Sequence, residues 1–294
     1  MGHARKAVWA LLALAAVLVT GCGAQRSESP LSQACQEAAR GETGESGGAP
    51  LPDITLPERI RQAGKIVIGM DTTYPPMEFV CDDGRTYVGF DVDLARALAA
   101  KMGVEVEFVS VNWDGIVPGL LSGRYDAILS SMTITEERLK EIDFVEYAQM
   151  AQVFVTRKDR PPIRTEKDLA GRVIAVQAET TSQYWVEKLP PEYQPKELRK
   201  FVDNNAVYLE IQTGRADGAV TDEPVGRYFA SYYKDVMEVT GLAVDPEPVG
   251  IGIRKDDPEL KAAFEKALAA LRADGTLDRL MQKWFGGELG KPAQ

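Results

Sequence analysis

An α/β fold is the architecture that the sequence predicts for the chain from about residue 53 onward. Short apolar segments of strand length alternate there with segments of helical periodicity, which is typical of α/β layers. Three of the strand-ending loops are polar, and ligands of such sheets usually bind at these loops. About 240 residues follow this point, enough for two modest domains or one large one.

The first predicted strand is Lys65–Met70, and a hairpin turning at Asp82-Asp83-Gly84 follows over Phe79–Val88. Asp91–Met102 has an apolar stripe at helical spacing and ends before Gly103, a residue that often caps helices. The later predicted elements are strand Val104–Val111, helix Gly115–Leu121, strand Ala127–Ser130, a helix from Thr135, a strand then a loop over Leu169–Ser182, helix Val207–Thr213, strand Gly218–Thr221, helix Glu223–Ser231, strand Val249–Arg254, and two helices over Pro258–Trp284 that break at Asp274-Gly275.

The N-terminal 21 residues are predicted to be a signal peptide. Arg5 and Lys6 precede 13 apolar residues, too few for a membrane-spanning helix of about 20. This run ends in Val19-Thr20-Gly21-Cys22, which resembles the site at which bacterial lipoproteins are cleaved and lipidated on the cysteine. The alternative is a plain secretory signal with an incidental cysteine. Residues 22–53 are rich in Gly, Ser, Glu and Pro, and are predicted to be a flexible tether.

Composition excludes several function classes. The net charge of −10 argues against a nucleic-acid partner. The single histidine, His3, lies in the predicted signal peptide, so the mature chain has no imidazole for a Ser-His-Asp or Cys-His site or for a histidine zinc site. We therefore expect no metal and no cofactor. Outside the cytoplasm Cys35 and Cys81 are expected either to pair in a disulfide or to remain two free thiols.

Several motifs in a fixed order resemble one known family. They are Gly69-Met70-Asp71-Thr72-Thr73-Tyr74-Pro75-Pro76-Met77-Glu78-Phe79, Val88-Gly89-Phe90-Asp91-Val92-Asp93-Leu94, Asn112-Trp113-Asp114-Gly115, Ser130-Ser131-Met132-Thr133-Ile134-Thr135-Glu136-Glu137-Arg138, Gly214-Arg215-Ala216-Asp217, Thr221-Asp222 and Lys283-Trp284-Phe285-Gly286. The sequence is similar to the polar amino-acid-binding proteins of bacterial ABC importers, solute-binding protein family 3.

This resemblance implies a two-lobed, periplasmic-binding-protein-like (type II) fold in which the chain crosses the hinge twice. Lobe 1 is expected over residues 54–153 plus 248–290, and lobe 2 over residues 157–245. A ligand would lie in the cleft between them, which closes by a hinge motion.

For a bound amino acid, Arg138 is the candidate partner of the carboxylate, because a guanidinium can grip two oxygens at once. Thr135 is the expected N-cap of its helix, so an anionic ligand would relieve an otherwise unfavourable cation in the first turn. The alternative is a surface arginine paired with Glu137 or Glu141. By the resemblance, Thr133 and Thr181 would add donors to the same carboxylate.

The resemblance assigns the ligand ammonium to Asp222 and to backbone oxygens around Ser130 and Ser131. The alternative for Asp222 is an N-cap of the following helix, which is common for aspartate.

Two aromatic residues, Tyr74 and Trp113, match the clamp that holds the ligand side chain in this family, although core packing is the ordinary role of aromatics. Asp71 would meet the tip of the ligand side chain and favour a basic or amide amino acid, and Gln177 is placed to reach the same tip.

The expected function is therefore that of a monomeric receptor, not an enzyme. It would bind a free L-amino acid and deliver it to an ABC permease from the extracytoplasmic face of the membrane, anchored through lipid on Cys22. Cyclohexadienyl dehydratases resemble the same family, but where they carry a general-acid glutamate three residues after the Thr-Asp aspartate, this chain has Val225. A ligand sensor for a separate membrane receptor is the third interpretation.

Overall fold

The computed structural model of the chain describes residues 30–40 and 47–286. The predicted signal peptide and the lipidation site at Cys22 lie outside these residues. Within them, no helix is both long enough and apolar enough to cross a bilayer.

Helices and strands alternate along the described chain, as the hydrophobic pattern predicts. The helices are α1 (Pro30–Ala39), α2 (Glu58–Ala63), α3 (Phe90–Met102), α4 (Ile116–Leu121), α5 (Glu136–Glu141), α6 (Thr181–Glu187), α7 (Asn204–Gln212), α8 (Glu223–Tyr232), α9 (Pro258–Ala273) and α10 (Thr276–Phe285). The strands are β1 (Lys65–Met70), β2 (Thr73–Tyr74), β3 (Glu78–Val80), β4 (Tyr87–Val88), β5 (Glu105–Ser110), β6 (Ala127–Thr133), β7 (Ile142–Arg157), β8 (Val173–Gln177), β9 (Glu197–Phe201), β10 (Gly218–Asp222) and β11 (Met237–Arg254).

Eight strands form one mixed sheet in the order β5-β1-β6-β11-β7-β10-β8-β9, and β2, β3 and β4 form a small antiparallel sheet. The strands β5, β1 and β6 are mutually parallel and belong to lobe 1. The strands β10, β8 and β9 are parallel to one another and belong to lobe 2. The predicted α/β architecture with two lobes is confirmed.

Two long antiparallel strands, β7 and β11, connect the lobes. Their register runs from Met237 opposite Arg157 in lobe 2 to Arg254 opposite Ile142 in lobe 1, with irregularities that include the stretch from Leu242 to Glu247. These strands are the two crossings of the fold, and the predicted lobe boundaries at 153, 157, 245 and 248 all fall on them.

The apolar core is continuous along this sheet. One cluster includes Ile68 and Phe90 of lobe 1, Val153 on a crossing strand, and Val225 of lobe 2, all almost fully buried. Burying an aromatic or aliphatic side chain of this size contributes about 1.5–3 kcal/mol. The packed sheet therefore fixes the strand ends from which the polar loops emerge.

The prediction of a flexible tether over residues 22–53 is wrong for residues 30–39. These form helix α1, and Cys35 on that helix is bonded to Cys81 on the loop after β3. Ala34 also packs against Phe79 and Val88 of lobe 1. The polar composition of the surrounding segment conceals this helix, because a covalent bond and a small apolar face hold it instead of a large buried surface.

Candidate ligand-binding site

The ten predicted ligand-binding residues line a single narrow cavity of about 20 Å³ between the lobes. Lobe 1 contributes Asp71, Tyr74, Trp113, Ser130, Ser131, Thr133 and Arg138, and lobe 2 contributes Gln177, Thr181 and Asp222. Thr180 and Ser182 also line the cavity and were not predicted. The sequence signal for them was the run of three hydroxyl residues, Thr180-Thr181-Ser182, in the segment that follows strand β8.

The positions of these residues follow from the sheet. The strands β1 and β6 are parallel, so Asp71 and Ser130 emerge at the same edge of lobe 1. In lobe 2, β8 and β10 are parallel, so Gln177 and Asp222 emerge together at the facing edge. Carboxyl ends of parallel strands are the usual ligand sites of such sheets.

Arg138 provides the positive pole of the cavity. Thr135 caps helix α5 by accepting the Arg138 N–H at 3.2 Å, as predicted. The guanidinium turns back to donate to the Thr133 carbonyl at 2.8 Å and lies 5.2 Å from the centre of the Trp113 ring. Among the described residues no carboxylate is within 4.0 Å of it, so the alternative of an ion pair with Glu137 or Glu141 is wrong. Burial lowers the pKa of Arg138.

Hydroxyl groups from both lobes surround this pole. The Oγ1 atoms of Thr133 and Thr181 are 3.5 Å apart across the cleft. Gln152, a buried residue of β7 that was not predicted, donates to Thr181 Oγ1 at 2.9 Å and accepts from Ser182 Oγ at 2.8 Å. This glutamine fixes the first residues of α6 against a crossing strand, and so positions the lobe 2 hydroxyls toward Arg138.

Asp222 provides the negative pole. Asp222 occupies the N-cap position of helix α8, but its side chain makes no capping hydrogen bond there. It instead accepts from the Tyr74 hydroxyl across the cleft at 2.7 Å. Burial raises the pKa of Asp222 to about 6, while the Tyr74 hydrogen bond and Arg138 oppose that shift. Burial and the Asp222 charge raise the pKa of Tyr74 well above its usual value, so this phenol remains a hydrogen-bond donor.

Asp71 and Gln177 meet at a second contact between the lobes. Gln177 Nε2 donates to Asp71 Oδ2 at 2.5 Å, and the other carboxylate oxygen accepts from the Thr73 N–H at 3.0 Å and from its hydroxyl at 2.8 Å. Burial raises the pKa of Asp71, although these hydrogen bonds counter it. The pair thus offers a carboxylate and an amide to one region of the cavity.

Trp113 forms a third bridge across the cleft. Its indole Nε1–H donates to the Glu179 carbonyl at 2.9 Å, and Glu179 has a left-handed backbone with φ of 60°. The ring is half-buried and packs partly against the apolar cluster around Ile116. Core packing and exposure to the cavity therefore coexist at this residue.

Ser130 and Ser131 of strand β6 line the cavity, and two buried acids lie beneath them. Ser130 Oγ donates to Glu78 at 2.5 Å, and the Ser131 N–H donates to Asp91 at 2.7 Å. Both acids are fully buried. The motifs containing them were visible in the sequence, but their contact with the serines was not.

Arg138 and Asp222 place opposite charges on opposite walls of the cavity. Among the described residues, neither has an ion-pair partner. An unpaired buried charge costs several kcal/mol, and pairing recovers much of that cost. Arg138 matches a carboxylate with adjacent oxygens, and Asp222 matches an ammonium. The arrangement suits a zwitterion.

A model of one protein family, the bacterial extracellular solute-binding proteins, family 3, matches residues 66–287. The chain belongs to this family. An L-cystine-binding protein, TcyJ of Escherichia coli, is 31% identical over 241 residues, which cover 81% of this chain and 89% of that protein. The ABC transporter arginine-binding protein 1 of Escherichia coli is 33% identical over 228 residues, covering 76% of this chain and 91% of that protein.

A solved structure also resembles this family 3 chain. It is the ancestral amino-acid-binding protein AncCDT-1, described as a precursor of cyclohexadienyl dehydratase, with 40% identity and a TM-score of 0.71 over 78% of this chain and 98% of that one. Val225, the position at which the dehydratases are expected to carry a glutamate, lies in α8 and is fully buried in the core. An aliphatic side chain there has no proton to donate.

Proposed function

We propose that this family 3 protein binds a free L-amino acid in the cleft between its lobes and passes it to the permease of an ABC importer. The observation that carries this proposal is the pair of charges on facing walls of one cavity, Arg138 and Asp222. A zwitterion satisfies both charges at once, whereas a simple anion or cation satisfies only one of them.

The expected energetics are sufficient for a transport receptor. Hydrogen bonds to charged groups contribute about 1.5–3 kcal/mol each. A micromolar dissociation constant corresponds to about −8 kcal/mol, which a few such bonds reach after the costs of association. Cleft closure would remove the ligand from water and strengthen these bonds.

The ligand side chain is proposed to be basic or an amide. Asp71 and Gln177 together present a carboxylate and an amide, which suit a guanidinium, an ammonium, an imidazolium or a carboxamide. The relatives named above bind arginine in one case and cystine in the other, so the tip of the side chain is the feature that differs among them.

Delivery from the extracytoplasmic face is the second part of the proposal. An ABC transporter is named for the arginine-binding relative. The disulfide between Cys35 and Cys81 suits an oxidising compartment outside the cytoplasm. Lipid on Cys22 would hold the receptor at the membrane, and Cys22→Ser should release the protein from the membrane fraction. A variant that stays membrane-bound would contradict the anchor.

A thermal-shift screen of the twenty amino acids tests the binding proposal, because a ligand that binds only the folded state raises the melting temperature. Arginine, lysine, histidine or glutamine should give the largest shift, and glutamate and aspartate the smallest. No shift with any of the twenty would contradict amino-acid binding. A largest shift with an acidic amino acid would contradict the proposed role of Asp71 alone.

The similarity to a precursor of cyclohexadienyl dehydratase supports one second candidate function, that of a dehydratase acting on prephenate. The same screen should therefore include prephenate, with product formation followed by absorbance. Turnover would contradict the receptor proposal. Its absence is expected, because Val225 offers no proton to a leaving group.

A further inference from the structure

Two buried acids, Glu78 on β3 and Asp91 in the first turn of α3, lie side by side beneath the serines of the ligand cavity. Gly89 makes this approach possible. Its φ is 135°, and a Cβ added there would lie 2.2 Å from the Met77 carbonyl oxygen. The start of α3 therefore packs directly on the strand that carries Glu78, and Asp91 N–H donates to that same carbonyl at 2.9 Å.

Asp91 holds Ser131 in an unusual backbone conformation. Asp91 Oδ2 accepts from Ser131 N–H at 2.7 Å and from Ser131 Oγ at 3.0 Å, while Oδ1 accepts from the Tyr147 hydroxyl at 2.8 Å. Ser131 has a φ of 48°, a left-handed conformation that non-glycine residues adopt only when the surroundings enforce it.

This conformation coincides with a bulge in the sheet. Met132 of β6 pairs with Gly250 of β11, but the next pair is Ile128 with Gly252, so three residues of β6 face one residue of β11. Bulges redirect the backbone and are common beside binding sites. Here the bulge contains Ser130 and Ser131, the residues that line the cavity.

Glu78 completes the arrangement from the other side. One carboxyl oxygen accepts from Ser130 Oγ at 2.5 Å, and Ser130 Oγ in turn accepts from Asp71 N–H at 3.0 Å. The other oxygen, Oε2, is buried and accepts from no donor within the described ranges. The charge of Asp91 acts on Glu78, and a proton on Glu78 would let Oε2 donate towards Asp91.

The charge state of the pair follows from its surroundings. Burial and the charge of Asp91 raise the pKa of Glu78 well above its usual value, with Asp71 adding to the effect. Burial raises the pKa of Asp91 to about 6, and the hydrogen bonds from Tyr147 and Ser131 limit that rise. Of the two acids, Glu78 is therefore the one whose protonated form burial favours more strongly.

We propose that the Glu78–Asp91 pair is a positioning device that holds the β6 bulge, sets Ser130 and Ser131 for the ligand ammonium, and places one shared negative charge behind them. The inference rests on the proposed amino-acid function and names the residues that shape the ammonium end of that site. Glu78 acts as the protonated member, and Asp91 is the charged acceptor for Ser131.

The two acids should therefore respond differently to amide substitution. Glu78→Gln replaces a neutral carboxyl by a neutral amide that can still donate to Asp91 and accept from Ser130, so the affinity should fall by about threefold at most. Asp91→Asn removes the negative charge and weakens the acceptor for Ser131, so the affinity should fall by about tenfold or more. Glu107→Gln, at an exposed position of lobe 1, is the matched control.

Proton release on ligand binding provides a second test, because it would not change if the two acids had only a structural role. Binding an ammonium favours the ionised form of nearby carboxyls, so binding near pH 6 should release protons from Asp91 and from Asp222. Calorimetry in buffers of different ionisation enthalpy measures the number of protons released on binding. The number of protons released should be smaller in Asp91→Asn than in the wild type, and the same in Glu78→Gln as in the wild type. In a separate measurement at neutral pH, Glu78→Gln should lose the infrared band of the protonated carboxyl group.

The proposal is overturned if Asp91→Asn binds as the wild type does, if Glu78→Gln loses as much affinity as Asp91→Asn, or if the infrared band persists in Glu78→Gln. If Asp91→Asn does not fold, Tyr147→Phe replaces it. Loss of that donor should move the acid limb of the affinity profile to higher pH, and an unmoved limb would overturn the role of Asp91. A wild type that binds no amino acid contradicts the proposed function itself, before any variant is measured.

Discussion

Replacing Arg138 by alanine should abolish most ligand binding while changing the free energy of unfolding by no more than about 1–2 kcal/mol. Among the described residues, this guanidinium is the only arginine or lysine group that lines the cavity, and it has no carboxylate partner within 4.0 Å. A ligand carboxylate would then be buried in Arg138→Ala without a countercharge.

Removing one partner of a buried pair costs about 3–5 kcal/mol. At about 1.4 kcal/mol per factor of ten, this weakens binding by about two to three and a half orders of magnitude. The free energy of unfolding should change little, because two effects oppose each other. Burial lowers the pKa of Arg138 and so disfavours its charge in the ligand-free protein. The contacts with the Thr133 carbonyl and the Trp113 ring, which contribute about 1–2 kcal/mol, are lost in the variant.

Isothermal titration with L-arginine and L-glutamine, combined with thermal unfolding, measures both effects. Arg138→Lys keeps the charge but not the two-oxygen fork, so its affinity should lie between those of the wild type and Arg138→Ala. Arg215→Ala is the control, because this exposed arginine pairs with Glu210 in lobe 2 and does not line the cavity. Affinity within threefold of the wild type in Arg138→Ala would refute the assignment of the carboxylate.

Three further predictions follow from the same geometry. Asp71→Asn should weaken the binding of arginine about tenfold or more and that of glutamine much less, because only the cationic side chain loses a countercharge. Equal losses of affinity for the two ligands, measured by calorimetry, would contradict the role of Asp71. Ligand affinity should fall as the pH falls through about 6, because Asp222 must be ionised to bind an ammonium and its pKa is raised to about 6. An affinity that calorimetry finds unchanged from pH 7.5 to pH 5 would contradict this role of Asp222. Replacing Cys35 and Cys81 by serine should lower the free energy of unfolding by about 4 kcal/mol, the chain-entropy value for a sequence separation of 46 residues. The ligand affinity should not change, because neither cysteine lines the cavity. Denaturant unfolding that matches the wild type would contradict the stabilising role of the disulfide.

Much of the fold followed from local sequence patterns. Strand β1 has the predicted bounds, and helix α3 ends at Gly103, whose φ is 72°. Such signals depend on neighbouring residues, so one sequence suffices to find them. Strand β11 was predicted only over Val249–Arg254, and strand β7 was not predicted from the local pattern, because regular alternation is broken by irregular pairing where the chain crosses between the lobes.

Residues that act through contacts across the fold were harder to predict. Gln152 lies on a crossing strand, and nothing in its neighbourhood along the chain indicates that it fastens Thr181 and Ser182. Asp91 was visible as the first residue of a predicted helix and as part of a family motif, but its bond to Ser131 spans 40 residues. The candidate residues were accessible from sequence because the family motifs contain them and because several of them follow predicted strands, whereas these supporting contacts depend on how elements pack.

The zwitterion clamp is the central claim, and one calorimetric comparison tests it most directly. The mature protein would be titrated with a free L-amino acid, its α-carboxamide and its Nα-acetyl derivative, beginning with arginine and glutamine. The free amino acid should bind, and each blocked derivative should bind at least a hundredfold more weakly, because it leaves Arg138 or Asp222 without its partner. A carboxamide or acetyl derivative that binds within tenfold of the free amino acid would contradict the account.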